Sequence, residues 1–142
     1  MTETLLLDNS AWARLADPAL SDARASEIAD ALEAGRIATC LPFLLEAGYS
    51  ARSARDHGEL LDELLVLPRL DIDEPVERRA LDAQRQLARI GHHRVPPVDL
   101  IVAAIADRHS VGVLHYDRDY DVIAEKTDLD FESIWLAPAG SI

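Results

Sequence analysis

Short apolar runs of strand length alternate along this chain with longer segments of helical spacing, and that alternation limits the fold more than any other feature. Leu5 to Asp8, Ile37 to Leu41, Leu64 to Leu67, Val111 to Tyr116 and Ser133 to Leu136 read as strands. Between them, Ser21 or Asp22 caps a helix running to about Ala34, with Ile28 and Leu32 four apart and Gly35 as its stop. Pro42 opens a second helix at a first-turn position, where a missing N–H costs nothing. Pro75 opens a long third helix to about Ile90, ended by Gly91, and Pro96-Pro97 introduces a fourth from Val98 to His109. Strand, helix and strand in repetition predict an α/β fold: a central parallel sheet of about five strands with helices on both faces, a three-layer α/β/α arrangement. Ligands of such sheets bind beyond the carboxyl ends of the strands.

The length of 142 residues fits one domain, residues 1–142, large enough to bury roughly two thirds of its extended-chain surface. No apolar stretch approaches the ~20 residues of a membrane-spanning helix, so no membrane association is expected. The start, Met1-Thr2-Glu3-Thr4 before Leu5, lacks a basic region and a small-residue cleavage site, which predicts a first strand and a cytoplasmic protein. The single cysteine, Cys40, excludes a disulfide framework and reads as a small buried hydrophobe. A formal charge of −12 argues against gripping nucleic acid by bulk electrostatics, although it leaves room for binding phosphate through metal. It would also attract an arginine-rich protein partner.

Isolated acids sit at the ends of the apolar runs. Leu5-Leu6-Leu7 stops at Asp8, Leu41 to Leu45 leads to Glu46, Val98 precedes Asp99, and Val113-Leu114-His115-Tyr116 ends at Asp117. A carboxylate at the end of a buried element is costly unless something neutralises it. Asp8 and Asp117 end strands that should share one sheet edge, while Glu46 and Asp99 are early residues of helices, where the dipole tolerates a negative charge. Converging, the four ask for a divalent cation; taken singly, Asp8 or Asp99 reads equally well as a helix cap.

The segments Leu5-Leu6-Leu7-Asp8-Asn9-Ser10, Leu44-Leu45-Glu46-Ala47-Gly48-Tyr49-Ser50, Asp99 to Ala106 and Asp117-Arg118-Asp119-Tyr120 resemble, in order, the acidic motifs of PIN-domain nucleases. More narrowly, they resemble those of the VapC-type ribonuclease toxins of type II toxin–antitoxin modules. The resemblance implies that Asp8, Glu46, Asp99 and Asp117 form the catalytic, metal-binding site, with Asp119 a further metal contributor and Ser10 supporting Asp8 by hydrogen bonding. It implies hydrolysis of RNA phosphodiester bonds with Mg²⁺ or Mn²⁺, for which hard oxygen ligands are suited, leaving 5′-phosphate and 3′-hydroxyl ends. It also implies a cognate antitoxin, contacted by Trp12, Leu15 and Leu20, and a homodimer. The family often has Thr and Phe where this chain has His115 and Tyr120; the aromatic ring is kept, while His115 is open to ligation, RNA contact or space filling.

Basic residues concentrate in Arg78, Arg79, Arg85, Arg89, His92, His93 and Arg94. On a helix, Arg78, Arg85 and Arg89 form a narrow stripe opposite Val76, Ala83, Leu87 and Ile90, readable as an RNA-tracking edge or as a solvated face. Trp12 and Trp135 read as core residues, and His57 and His109 as capping or solvent residues. A phosphoacceptor receiver domain would need a lysine near the end of its last strand, but the only lysine, Lys126, precedes that strand. Neither a nucleophile elbow nor a glycine-rich phosphate loop is present. The rival reading is a catalytically inactive PIN-like binding module, which predicts at least one missing acid.

Overall fold

The computed structural model describes residues 3–92 and 94–142, so His93 of the basic segment, like Met1 and Thr2, lies outside the described residues. In chain order the elements are β1 (Leu5–Leu7), α1 (Asn9–Trp12), α2 (Asp22–Glu33), β2 (Ile37–Ala38), α3 (Leu41–Tyr49) and α4 (Ala54–Leu64). They continue with α5 (Glu74–Arg89), α6 (Pro97–His109), β3 (Gly112–His115), α7 (Asp119–Lys126) and β4 (Ser133–Trp135). The four strands form one parallel sheet in the order β2-β1-β3-β4, flanked by the helices. Leu5 pairs with Ile37 on one side and Gly112 on the other, and His115 pairs with Trp135. Because the chain leaves β1 for β2 on one side and later returns to β3 on the other, β1 and β3 flank the point where strand order reverses. Ligand crevices of open parallel sheets form there.

Local chemistry explains most boundaries. Ser21 Oγ accepts from Arg24 N at 3.1 Å to start α2, and Asp73 Oδ1 accepts from Val76 N at 3.1 Å to start α5. Gly35 and Gly91 follow the ends of these helices with φ of +72° and +83°, values that glycine adopts without a Cβ penalty. The helix α6 is apolar nearly all round, with Leu100 and Val102 to Ala106 buried, as expected of an element enclosed between others. Its neighbour α5 is tied to it by Arg79, which donates to Asp107 Oδ2 at 3.1 Å and, beyond α7, to Asp128 Oδ1 at 3.0 Å. Among the described residues, no helix is long and apolar enough to cross a membrane.

Three sequence expectations need correction. Leu64 to Leu67 does not form a strand: Leu64 is the buried last residue of α4, with Leu60 one turn before it, and Leu65 and Val66 are exposed. Amphipathic helical spacing outweighs a short apolar run there. Pro68 then removes a donor, and what remains at the β2 edge is a single bridge, Thr39 to Arg69, so among the described residues the sheet has four strands. Ile90, expected on the buried side of α5, is its C-cap and is 52% exposed, whereas Val76, Ala83 and Leu87 are buried. The strand at Ile37 also ends early, because Cys40 is the N-cap of α3. That thiol is buried, which pushes its pKa up to about 12.

Candidate metal centre

The acids are delivered to one sheet edge by the strand ends and by α6. Asp8 follows β1 and caps the short α1, its Oδ2 accepting from Ser10 N at 3.0 Å and Ser10 Oγ at 2.6 Å. Ser10 Oγ in turn accepts from Tyr116 N at 2.9 Å, so the hydroxyl clamps the exit of β1 to the exit of β3. Asp8 is therefore both a cap and a member of the pocket. Asp99 is not a cap, because Pro96 occupies that position. It lies in the first turn of α6 and is 8% exposed.

Asp99, Asp117 and Asp119 each place one carboxylate oxygen within 4.8 Å of the others. Asp8 joins them through Tyr120, whose buried hydroxyl lies 2.6 Å from Asp8 Oδ1 and 3.3 Å from Asp99 Oδ1. Glu46, half-buried on α3, stands outside the tight triad but close enough to feel the charge of Asp8. Among the described residues, Asp99 Oδ2 is the buried side-chain polar atom without a hydrogen-bond partner. A buried carboxylate oxygen so placed costs free energy unless a cation or proton meets it.

The electrostatics agree with that geometry. Burial, then the charges of Asp8, Asp117 and Asp119, push the pKa of Asp99 up to about 7, against which the Tyr120 hydroxyl acts. Burial and Asp8 raise Glu46, and burial and Asp117 raise Asp119. Tyr120 is held protonated well above its ordinary range by burial and by its two carboxylate neighbours. Hard oxygen donors around an unpartnered buried oxygen fit a divalent cation such as Mg²⁺ or Mn²⁺.

His115 is fully buried and does not face the acids as a ligand. Its Nδ1 accepts from Asp117 N at 3.0 Å, which leaves the proton on Nε2, 2.7 Å from Ser133 Oγ. Ser133 Oγ donates to Asp121 Oδ1 at 2.6 Å, and Trp135 Nε1 donates to Asp121 Oδ2 at 2.9 Å. Burial lowers the pKa of His115, in keeping with a neutral ring packed, tilted, between Tyr120 and Trp135. This chain of bonds fixes the backbone that carries Asp117.

The remaining sequence candidates fall elsewhere. Arg78 donates to Glu74 at 3.0 Å and Arg85 to Asp82 at 3.3 Å, both exposed pairs on α5, while Arg89 is exposed at the end of that helix. Trp12 and Leu15 are half-buried, Trp12 meeting Phe43 edge-on at 6.2 Å, and Leu20 is core at 7% exposure. Sequence reasoning missed the role of Tyr120 and the Ser133–Asp121 support. The available signal was a Tyr where Phe would pack equally well, since a buried phenol seeks a partner.

A PIN domain family model matches residues 5–126. Ribonuclease VapC18 of Mycobacterium tuberculosis (strain ATCC 25618 / H37Rv) is 38% identical over 139 residues, covering 96% of this chain and 97% of that protein. Ribonuclease VapC51 of the same strain is 36% identical, covering 96% of each chain. Among solved structures, DNA-bound VapBC from Salmonella typhimurium aligns with a TM-score of 0.72 at 17% identity, over 95% of this chain and 99% of that one. VapBC2 from Rickettsia felis, bound to a promoter DNA fragment, aligns with a TM-score of 0.73 at 14% identity, over 93% and 98%. At such identities the structures share the fold alone, a parallel sheet flanked by helices. The sequence matches go further: this chain belongs to the PIN domain family and, within it, to the VapC group.

Proposed function

We propose that this chain is a metal-dependent endoribonuclease toxin, using Mg²⁺ or Mn²⁺ and restrained by a cognate antitoxin. The observation that carries the reading is Asp99 Oδ2, buried without a partner beside Asp117 and Asp119. Asp99, Asp117 and Asp119, with Asp8 and Glu46 at their margin, would hold the cation. Bound there, it would offset the carboxylates, accept a phosphate oxygen and lower the pKa of the attacking water. Water adds to phosphorus as the P–O3′ bond breaks, leaving a 5′-phosphate and a 3′-hydroxyl. Tyr120 keeps its proton and holds Asp8 and Asp99 in place, while Ser10 and the His115 chain position Asp8 and Asp117.

The names of the relatives support the ribonuclease activity, and the VapBC titles of the structural neighbours support an antitoxin partner. An apolar cleft lined by Leu41, Leu45, Tyr49 and Ile101 opens beside Glu46, with Leu45 65% and Tyr49 92% exposed. So much uncovered apolar surface supports a homodimer joined near the site. Cytoplasmic location accords with an RNA substrate.

The test is cleavage of a cellular RNA pool by antitoxin-free protein with Mg²⁺, Mn²⁺ or chelator, beside Asp8→Asn and Asp99→Asn variants. Metal-dependent cutting lost in both variants is expected, at a cost of several kcal/mol of transition-state stabilisation as an order of magnitude. Equal cutting by the variants would mark contamination. No cutting by any form would favour a binding module.

A further inference from the structure

We propose that the cleft between the start of α2 and the segment after β4 holds the nucleotide adjoining the scissile phosphate of a single-stranded RNA, with Arg118 meeting its phosphate. The inference rests on the ribonuclease reading and names where its substrate runs. The cleft encloses about 730 Å³, within the ~300–1,000 Å³ of small-ligand sites. It opens at the same sheet edge as the acids, because Arg118, one of its walls, lies between Asp117 and Asp119.

The walls suit a nucleotide. The exposed Pro138 and Ala139 and the half-buried Trp135, over the buried Leu20 and Leu136, supply apolar surface against which a base can lie, while Arg118 supplies positive charge in a chain of net charge −12. Arg24 is held rigidly, Nε donating to Leu136 O at 2.9 Å and Nη2 to Trp135 O at 3.1 Å with Nη1 3.8 Å from Glu27, so it shapes the wall and leaves the free charge to Arg118. Arg118 is exposed and makes no side-chain hydrogen bond or ion pair among the described residues, although acids flank it in sequence. Asp121, on the same wall, is turned toward β4 instead, Oδ1 accepting from Ser133 and Oδ2 from Trp135. A guanidinium left with its whole donor fork beside a carboxylate cluster matches a phosphate. Of the α5 arginines, Arg78 and Arg85 pair with Glu74 and Asp82 and Arg79 is tied to Asp107 and Asp128, while Arg89 stands exposed in the last turn and, among the described residues, lines no cleft shared with the acids' loop. An apolar protein segment would gain nothing from a free guanidinium, whereas a polyanion entering an acidic site needs one.

The experiment is steady-state cleavage of an oligoribonucleotide carrying the mapped cut site, by wild type, Arg118→Ala, Arg118→Lys and Ala139→Trp, the last filling the cleft from its exposed rim. Arg118→Ala and Ala139→Trp should raise KM about tenfold with kcat within about twofold and melting temperature unchanged, and Arg118→Lys should recover part of the loss. For Arg118→Ala, the salt slope of log kcat/KM should flatten by about 0.7, the value for one phosphate contact on a single strand. An oligonucleotide cut back to the scissile phosphate on the cleft side should lose affinity with wild type but lose little more with Ala139→Trp. Unchanged KM in both cleft variants overturns the proposal while leaving the ribonuclease reading intact. So does weakened antitoxin capture with RNA kinetics unaffected, which would give the cleft to the protein partner. A wild type that neither binds nor cuts RNA overturns both readings.

Discussion

Replacing Asp99 by Asn should make the metal-free protein more stable at neutral pH while abolishing the site. Asp99 is 8% exposed and its pKa is raised from an ordinary 3.8 to about 7, chiefly by burial and then by Asp8, Asp117 and Asp119. Below about pH 4 the carboxyl is protonated in both folded and unfolded chains and adds no pH dependence. Between about pH 4 and 7 the unfolded chain has released a proton that the folded chain still holds, so stability falls as pH rises, by at most ~1.4 kcal/mol per unit. Above 7 the loss is complete. Three units correspond to about 4 kcal/mol, which solvent reaching the open side of the pocket reduces to about 2–3 kcal/mol. Asn carries no such proton, and its amide can donate to the carboxylates around it. Urea unfolding with chelator from pH 4 to 8 reads the effect as the difference between the two proteins. Titrating groups away from Asp99 are common to both and cancel, including the raised Glu46 and the lowered Asp73 and Asp128, whereas Asp119, which repels Asp99, cancels only in part. The difference should grow by about 2–3 kcal/mol in favour of Asn across that range. Saturating Mn²⁺ should stabilise wild type and leave the variant nearly unmoved. A difference flat with pH, or equal stabilisation of both by Mn²⁺, would refute the reasoning.

Two further changes separate the carboxylates from the groups that hold them. Tyr120→Phe removes the hydroxyl shared by Asp8 and Asp99, so the metal-free protein should lose about 2 kcal/mol, the range for hydrogen bonds to charged groups, and the titration of Asp99 followed by carbon NMR should move upward. Ser133→Ala breaks the link from His115 to Asp121 without touching an acid; calorimetric titration should show Mn²⁺ affinity reduced about three- to tenfold, with Ser133→Thr close to wild type.

Much of the scaffold was legible because its signals are local. Ser21 as a cap, Pro75 and Pro97 at helix starts, and Gly35 and Gly91 after helix ends act over one turn, and each reads directly from neighbouring residues. The strand at Leu5–Leu7 and its acid were equally plain. Helix α4 was not, since its charged sequence hides a stripe of Leu60 and Leu64 that gains meaning only against the rest of the core. The acids were identifiable, but not their grouping: nothing local says that Tyr120 reaches back 112 positions to Asp8, or that Asp99, Asp117 and Asp119 close more tightly than Glu46. His115 remained ambiguous for the same reason, because its role is set by Ser133 on the neighbouring strand.

The tight carboxylate cluster places a constraint on how such a protein can be controlled. At neutral pH the metal-free fold carries a free-energy cost at Asp99 that any well-placed cation relieves, and the relief scales with how fully the cation replaces the missing partner of Oδ2. A divalent ion and an arginine guanidinium would meet the same need with different consequences: an ion held by Asp99, Asp117 and Asp119 would supply a polarising centre for phosphate and water, whereas a planar guanidinium would fill the carboxylates and supply none. On the proposed reading, activation and inhibition are then alternative neutralisations of one charge cluster. An antitoxin need not distort the fold to silence it, since occupying the cluster suffices. The same logic predicts that its hold should weaken as pH falls through 7, because protonating Asp99 removes part of the charge that a guanidinium would meet.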